Sequence, residues 1–407
     1  MRTQTRFAAS AFGSKVALGS LLALQALGCG SDPQPTPASD DDGSVLGEDG
    51  KSEAWGRGDA PSGLGTFEYR IASLPKAGEA TRIPWAASYW PVYQDSINYR
   101  WDGASSESAS AKYARAFGLD PAALEDAVSR SNGIDGSGGD ACTSAAQCAS
   151  GEACAKRRGR TSGACIPTWW GICHAWSPAA ILELEPKHAV TRNGVTFKVN
   201  DIKALVELGY DDNVAKSVSG RCEVASGERF DASGRPVTSA CRDTNPGTWH
   251  VVVANLLGLR GQSLVEDRTR DAEVWNQPLR GYRVTQQLEV TAAQANRLVT
   301  GGSGAYSFNA RAARFYDVKM TASYISESPP STDGNLAARI GSYTKTDSYR
   351  YVLEVDAAGK IIGGEWVGAS KTAHPDFLWL PSARRGAIAG GAIEWAKVKQ
   401  LLDASVQ

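Results

Sequence analysis

Histidine is scarce in this chain, with four in 407 residues, at positions 174, 188, 250 and 374. Any chemistry that needs an imidazole must draw on one of them. Basic clusters are missing as well: Lys and Arg total 43 against 44 Asp and Glu, with no long run of either cation. That balance argues against a nucleic-acid partner. Downstream of Leu27 no apolar run approaches the roughly eighteen residues of a membrane-spanning helix. There is no internal repeat, no Cys-x2-Cys pair and no EF-hand loop. Zinc and standard calcium folds therefore find little support.

What the chain does have begins with an export signal. Arg2, Arg6 and Lys15 precede an apolar run from Val16 to Leu27, which closes on Ala26-Leu27-Gly28-Cys29. This outlines a bacterial lipobox, so we expect residues 1–28 to be removed and Cys29 to carry a lipid at the cell envelope. Ordinary cleavage and secretion is the alternative. Residues 29–64 read as a tether stiffened by Pro33, Pro35 and Pro37 and solvated by Asp40, Asp41, Asp42, Glu48 and Asp49. A flexible chain of that length reaches about 30–35 Å.

The eight cysteines do not all find partners by inspection. Cys142, Cys148, Cys154 and Cys165 form a compact C-x5-C-x5-C-x10-C group in a segment, 141–165, with almost no large apolar residues. Two disulfides are expected there, with three pairings open. Cys222 and Cys241 bracket a polar loop and are expected to bridge. Cys173 is then left over, in Trp169-Trp170-Gly171-Ile172-Cys173-His174-Ala175-Trp176. An odd thiol in an oxidising compartment is a candidate nucleophile; a buried structural cysteine is the alternative.

Residues 65–140 read as a helical, aromatic-rich region without His or Cys. Helices are expected at 111–117, with Ser110 as a possible cap, and at 121–128, with Asp120 as cap and Pro121 at the first position. After Cys173 the run Ala175–Leu184 is helix-compatible. Pro178 cannot donate to the His174 carbonyl, so the regular helix is expected to start at Ser177-Pro178, just after the cysteine. A thiolate near that end would be stabilised.

Among the histidines, His174 adjoins Cys173 but points elsewhere on a helix, and His188 sits in a surface turn. His250 opens Trp249-His250-Val251-Val252-Val253-Ala254, expected as a strand, and is the candidate base. Asp267, near the end of a second expected strand from Leu264 to Thr269, is the candidate acid. His374-Pro375-Asp376 is the alternative pair. Asn255 is expected on the opposite face of the His250 strand, and Asp356 in a hairpin turn.

The order Cys173, His250, Asp267 resembles a transglutaminase core. More specifically, Val274-Trp275-Asn276-Gln277-Pro278-Leu279-Arg280-Gly281-Tyr282-Arg283-Val284 closely resembles the elicitor peptide of the oomycete cell-wall transglutaminases. The similarity runs from about residue 80 to about 380 and includes Ser88–Trp101 and Gly363–Gly368. It implies an α+β fold with a transglutaminase or papain-like cysteine-enzyme core over residues 166–385 and a C-terminal helix over 386–407. It also implies acyl transfer from protein glutamine to lysine, and calcium as a cofactor. Asp211, Asp212 and Asn213 are possible ligands, although a solvated turn accounts for them better. Asp135–Asp140 resembles a calcium loop only loosely. Trp169, Trp170, Trp176 and Trp249 could wall a lysine channel or be core. A cysteine hydrolase and a non-catalytic binding protein remain as rival classes.

Overall fold

The computed structural model describes residues 58–221, 229–231, 235–270, 272–331 and 334–407. The export segment, Cys29, most of the tether and Cys222 lie outside them. No helix among the described residues is long and apolar enough to cross a membrane.

After a short strand β1 (Ala77–Glu79), the chain forms α1 (Ala109–Ala116) and α2 (Pro121–Asn132). Asp120 caps α2 through its side chain, with Pro121 at the first position, as the sequence predicts. The cap of α1 is Ser108 instead of Ser110. The buried Ser110 hydroxyl is spent on Asn98, which leaves the Ala111 N–H to Ser108.

The cysteine-rich insert is a small sheet of β2 (Ala141–Cys142), β3 (Glu152–Ala155) and β4 (Gly163–Pro167), with β4 central. Its disulfides join Cys142 to Cys154 and Cys148 to Cys165. They replace a core that the segment cannot build from its own side chains. The insert docks through a minor apolar cluster of Val92, Ile134, Ala155 and Ile166. Arg157 sits between Asp126 at 2.6 Å and Asp135 at 2.7 Å. Asp135 is therefore an anchor for the insert, and the calcium-loop likeness is not needed to explain it.

Next come α3 (Cys173–Leu182), the hairpin β5 (Val190–Arg192) and β6 (Val195–Phe197), α4 (Val199–Leu208) and β7 (Asn213–Val218). The chain continues through α5 (Pro246–Val253), β8 (Val265–Asp267), β9 (Asn276–Val290), α6 (Ala292–Thr300), β10 (Arg314–Ile325) and β11 (Thr344–Val355). It closes with β12 (Ile361–Trp366), β13 (Leu378–Arg384), the pair β14 (Ile388–Ala389) and β15 (Ile393–Glu394), and α7 (Trp395–Val406). The main sheet runs β12-β11-β10-β9-β8-β13-β7, with β1 also paired to β9. All its pairings are antiparallel. The fold mixes helix and sheet, as expected.

Two cores flank β8. One gathers α1 to α4 and α7 around Trp90, Trp176, Phe377 and Trp379, and includes Cys173. The other gathers α5 and the long strands around Trp249, Val318, Tyr351 and Leu353. Residues 109–132 thus share the core of the cysteine-bearing helix.

Three local readings need correction. The segment from Trp249 is helix α5, capped by Asn245 with Pro246 at its first turn, so its Val-rich composition yields to capping and burial. Asn276-Gln277-Pro278 has the composition of a turn, which is how the sequence alone reads, yet it begins β9. Pro278 is tolerated because the β10 ladder starts only at Leu279, so no N–H is missed. Read as a strand, Tyr282–Val290 should alternate Tyr282, Val284, Gln286, Leu288 and Val290 against Arg283, Thr285, Gln287 and Glu289; this holds at Tyr282 and Arg283 but fails at Leu288, which is exposed. A bulge skips Thr285, pairing Gln286 with Lys319 and Val284 with Met320, and reverses the phase beyond it.

Candidate active site

Helix α3 starts at Cys173 itself, earlier than the proline suggested. Pro178 leaves the His174 carbonyl without its helical donor, and Asn213 Nδ2 supplies one at 3.4 Å. Just upstream, Gly171 is held against Tyr89. A Cβ there would meet the Tyr89 carbonyl at 2.4 Å, and Ile172 N–H donates to that same carbonyl at 2.7 Å. Only glycine allows this approach, which sets the position of the cysteine two residues on.

Cys173 is fully buried, its sulfur 3.8 Å from the Val274 carbonyl oxygen and 3.6 Å from Asn276 Nδ2. The Asn276 carboxamide cannot be turned round, because its Oδ1 accepts Trp379 Nε1–H at 2.8 Å and indole only donates. Its NH2 group therefore faces the sulfur. Ser177 donates to the Asn276 carbonyl at 2.6 Å and locks α3 to β9.

Asp267 ends β8 directly opposite Asn276, so the two side chains share one sheet face. Its Oδ1 accepts the Trp275 N–H at 2.8 Å. Burial and the nearby Asp376 carboxylate push its carboxyl well above the ordinary range. Cys173 and Asp267 thus meet around Asn276, a residue the sequence reading did not assign to the site. Its only sequence signal was its place in the segment resembling the elicitor peptide.

His250 does not join them. It lies in the second core, where Nδ1 meets the Tyr351 hydroxyl at 2.9 Å, and no described hydrogen bond links it to Cys173 or Asp267. Desolvation lowers its pKa to about 4. The reason is the helix: α5 directs the imidazole toward β11, where a strand start would have left it at the sheet end. His374 is equally buried, stacked on Trp366 with Nε2 3.1 Å from Asp243, so its carboxylate partner is not Asp376. His174 pairs with Asp211 at 2.9 Å, and His188 is exposed.

Cys173 is also disulfide-bonded, and so is Cys241; no cysteine is free among the described residues. The expectation of a leftover thiol therefore fails for this state. The expected Cys222–Cys241 bridge has one end outside the described residues.

The aspartates suggested as calcium ligands are otherwise engaged, Asp211 by His174 and Asp212 by Arg385 at 3.6 Å. Among the described residues, Cys142, Cys148 and Cys165 alone bring three His, Cys or carboxylate ligand atoms together, and these sulfurs are in disulfides. Of the four tryptophans, Trp176 and Trp249 are core, whereas Trp169 and Trp170 remain half-exposed, edge to face at 6.2 Å.

The fold that carries these residues has a counterpart among known proteins. The crystal structure of the GP42 transglutaminase from Phytophthora sojae superposes with a TM-score of 0.73 at 44% identity, covering 84% of this chain and 94% of that one. No curated protein sequence matches. The sequence model of the transglutaminase elicitor family matches residues 64–407. With most of the chain inside that match, the protein belongs to the transglutaminase elicitor family.

Proposed function

We propose that the chain is a protein-glutamine γ-glutamyltransferase built on a papain-like core, with Cys173 as nucleophile. The carrying observation is the convergence of Cys173 at a helix start, the oriented Asn276 amide and the Asp267 carboxyl. The reduced sulfur attacks the glutamine γ-carbonyl, the carbon–nitrogen bond breaks, and ammonia leaves with one added proton. A lysine amine then attacks the thioester, loses a proton and restores the thiol. The helix start favours the thiolate, and the Asn276 N–H group is placed to steady the charged oxygen. Asp267, whose carboxyl burial raises well above the ordinary range, is suited to exchange the protons, a role the sequence reading had given to His250. Water must be excluded for transfer to beat hydrolysis, and Trp169 and Trp170 are the remaining candidates to wall the lysine path.

A second reading, a non-catalytic binding protein, is favoured by the disulfide at Cys173. Incubation of reduced protein with a glutamine donor and a labelled primary amine, with and without calcium, separates the possibilities. Amine incorporation supports the transferase, ammonia release without incorporation supports a hydrolase, and neither supports a binding role. We further propose envelope anchoring through a lipid on Cys29. Fatty-acid labelling that persists in Cys29→Ser would overturn it.

A further inference from the structure

The chain has no overall excess of cations, yet one short stretch concentrates them. Lys156-Arg157-Arg158-Gly159-Arg160 lies in the connection between β3 and β4, and from Ala149 to Trp169 the only acid is Glu152. Glu152 is spent on the Ala149 N–H at 2.9 Å. Arg157 turns inward, between Asp126, Asp135 and, at 3.5 Å, Asp95, while Lys156 donates to the Thr143 carbonyl at 2.5 Å. Arg158 and Arg160 are exposed, and no ion pair or side-chain hydrogen bond engages them among the described residues. Two guanidinium groups are thus left to solvent.

The turn that carries them is fixed before anything binds. Arg160 N–H donates to the Arg157 carbonyl at 3.0 Å, and Gly159 takes a φ of 78°, where a side chain would be strained. Cys154 and Cys165 oppose each other across the two strands, each held by its own disulfide. A backbone ordered in advance costs less when a partner docks. At its other end the hairpin runs into the candidate active site. Past β4, Thr168 leads to Trp169, Trp170 and Cys173. The Thr168 carbonyl accepts the Tyr89 hydroxyl at 2.9 Å, and the Trp170 carbonyl accepts the Val92 N–H at 2.8 Å. β4 spans five residues, so the turn stands roughly 17 Å from that base, the reach of about five residues of extended peptide.

Guanidinium forks match carboxylates, and continuity with the Cys173 segment favours a partner that also reaches the cysteine. We propose that Arg158 and Arg160 dock an acidic stretch of the glutamine-donating protein, and so select which glutamines are presented to Cys173. The identity of the partner rests on the transferase reading; the docking itself does not.

The test uses fluorescein-labelled peptides in which one glutamine lies about five residues from a run of glutamates or, as control, of serines. Anisotropy titration of reduced protein should show the acidic peptide bound about fivefold more tightly, the scale of two exposed ion pairs, with the advantage lost at high salt. Replacing both arginines, Arg158→Gln with Arg160→Gln, should abolish the preference and leave binding of the serine peptide unchanged, which loss of folding would not. In amine incorporation the same preference should appear in KM and not in kcat. Acid-selective binding without turnover would uphold the docking site and count against the transferase. Equal binding of the two peptides by the parent protein would overturn the proposal, as would an acidic preference that survives in the double variant. Loss in that variant of binding to anionic phospholipid vesicles alone, with no peptide preference, would assign the surface to a membrane instead.

Discussion

Asp267 and Asn276 stand opposite each other on adjacent antiparallel strands, and Asn276 in turn reaches the Cys173 sulfur at 3.6 Å. The acid is thereby tied to the cysteine through a carboxamide and not through an imidazole.

Asn276→Ala should lower kcat for amine incorporation by about 10²-fold or more, the scale of losing one oriented donor at a developing charge. KM should change little. Steady-state kinetics on protein of parental thermal stability checks this. Trp379→Phe, which frees the carboxamide to turn, should give a smaller loss of the same kind.

Cys173 in its disulfide-bonded state cannot attack a carboxamide. Turnover should therefore depend on prior treatment with a small dithiol, which is oxidised as it frees the Cys173 thiolate. Cys173→Ala should stay inactive after the same treatment. Equal activity with and without the dithiol would contradict the requirement.

His250→Gln should cost stability, about 1–3 kcal/mol from the disturbed buried bond to the Tyr351 hydroxyl, while leaving turnover per folded molecule near parental. Asp267→Asn should do the reverse and cut turnover by about 10²-fold. Denaturant melts set beside activity assays of both variants separate the roles. Loss of turnover in a fully folded His250→Gln protein would restore the imidazole to the mechanism.

Raising the pH should destabilise the fold between about 6.5 and 8. Burial raises the carboxyls of Glu354 to about 8 and of Asp59 and Glu365 to about 7. Between its ordinary and raised values each group holds a proton in the folded state that the unfolded chain has released. Stability therefore falls with rising pH, by up to about 1.4 kcal/mol per unit per group. The buried His250 and His374, lowered to about 4 and about 3, act only below their ordinary value of 6.5, where stability instead falls with acid. Thermal melts at pH 6.5 and 8 should show a lower Tm at the higher pH. Glu354→Gln should flatten that slope.

The chain's sequence by itself determined the features governed by neighbouring residues. Asp120 and Pro121 start α2, Asp356 makes its turn by accepting the Ala358 and Lys360 N–H groups, and the cysteine-rich segment closes on two disulfides. Each follows from a side chain acting on backbone a few residues away, or from a segment too poor in apolar residues to fold otherwise. The Trp-rich segment around Cys173 was singled out as well, although the close approach of Gly171 to Tyr89 within it was not. The tertiary structure decided the rest. Whether Val-rich residues 249–254 became helix or strand depended on the surface waiting to bury them, and with that went the direction of His250. The place of Asn276 beside a cysteine 103 residues away depended on the β8–β9 register and on the Trp379 indole that fixes its amide. Period and propensity describe one segment at a time; a site assembled from helix α3 and strands β8, β9 and β13 exists only once those segments pack.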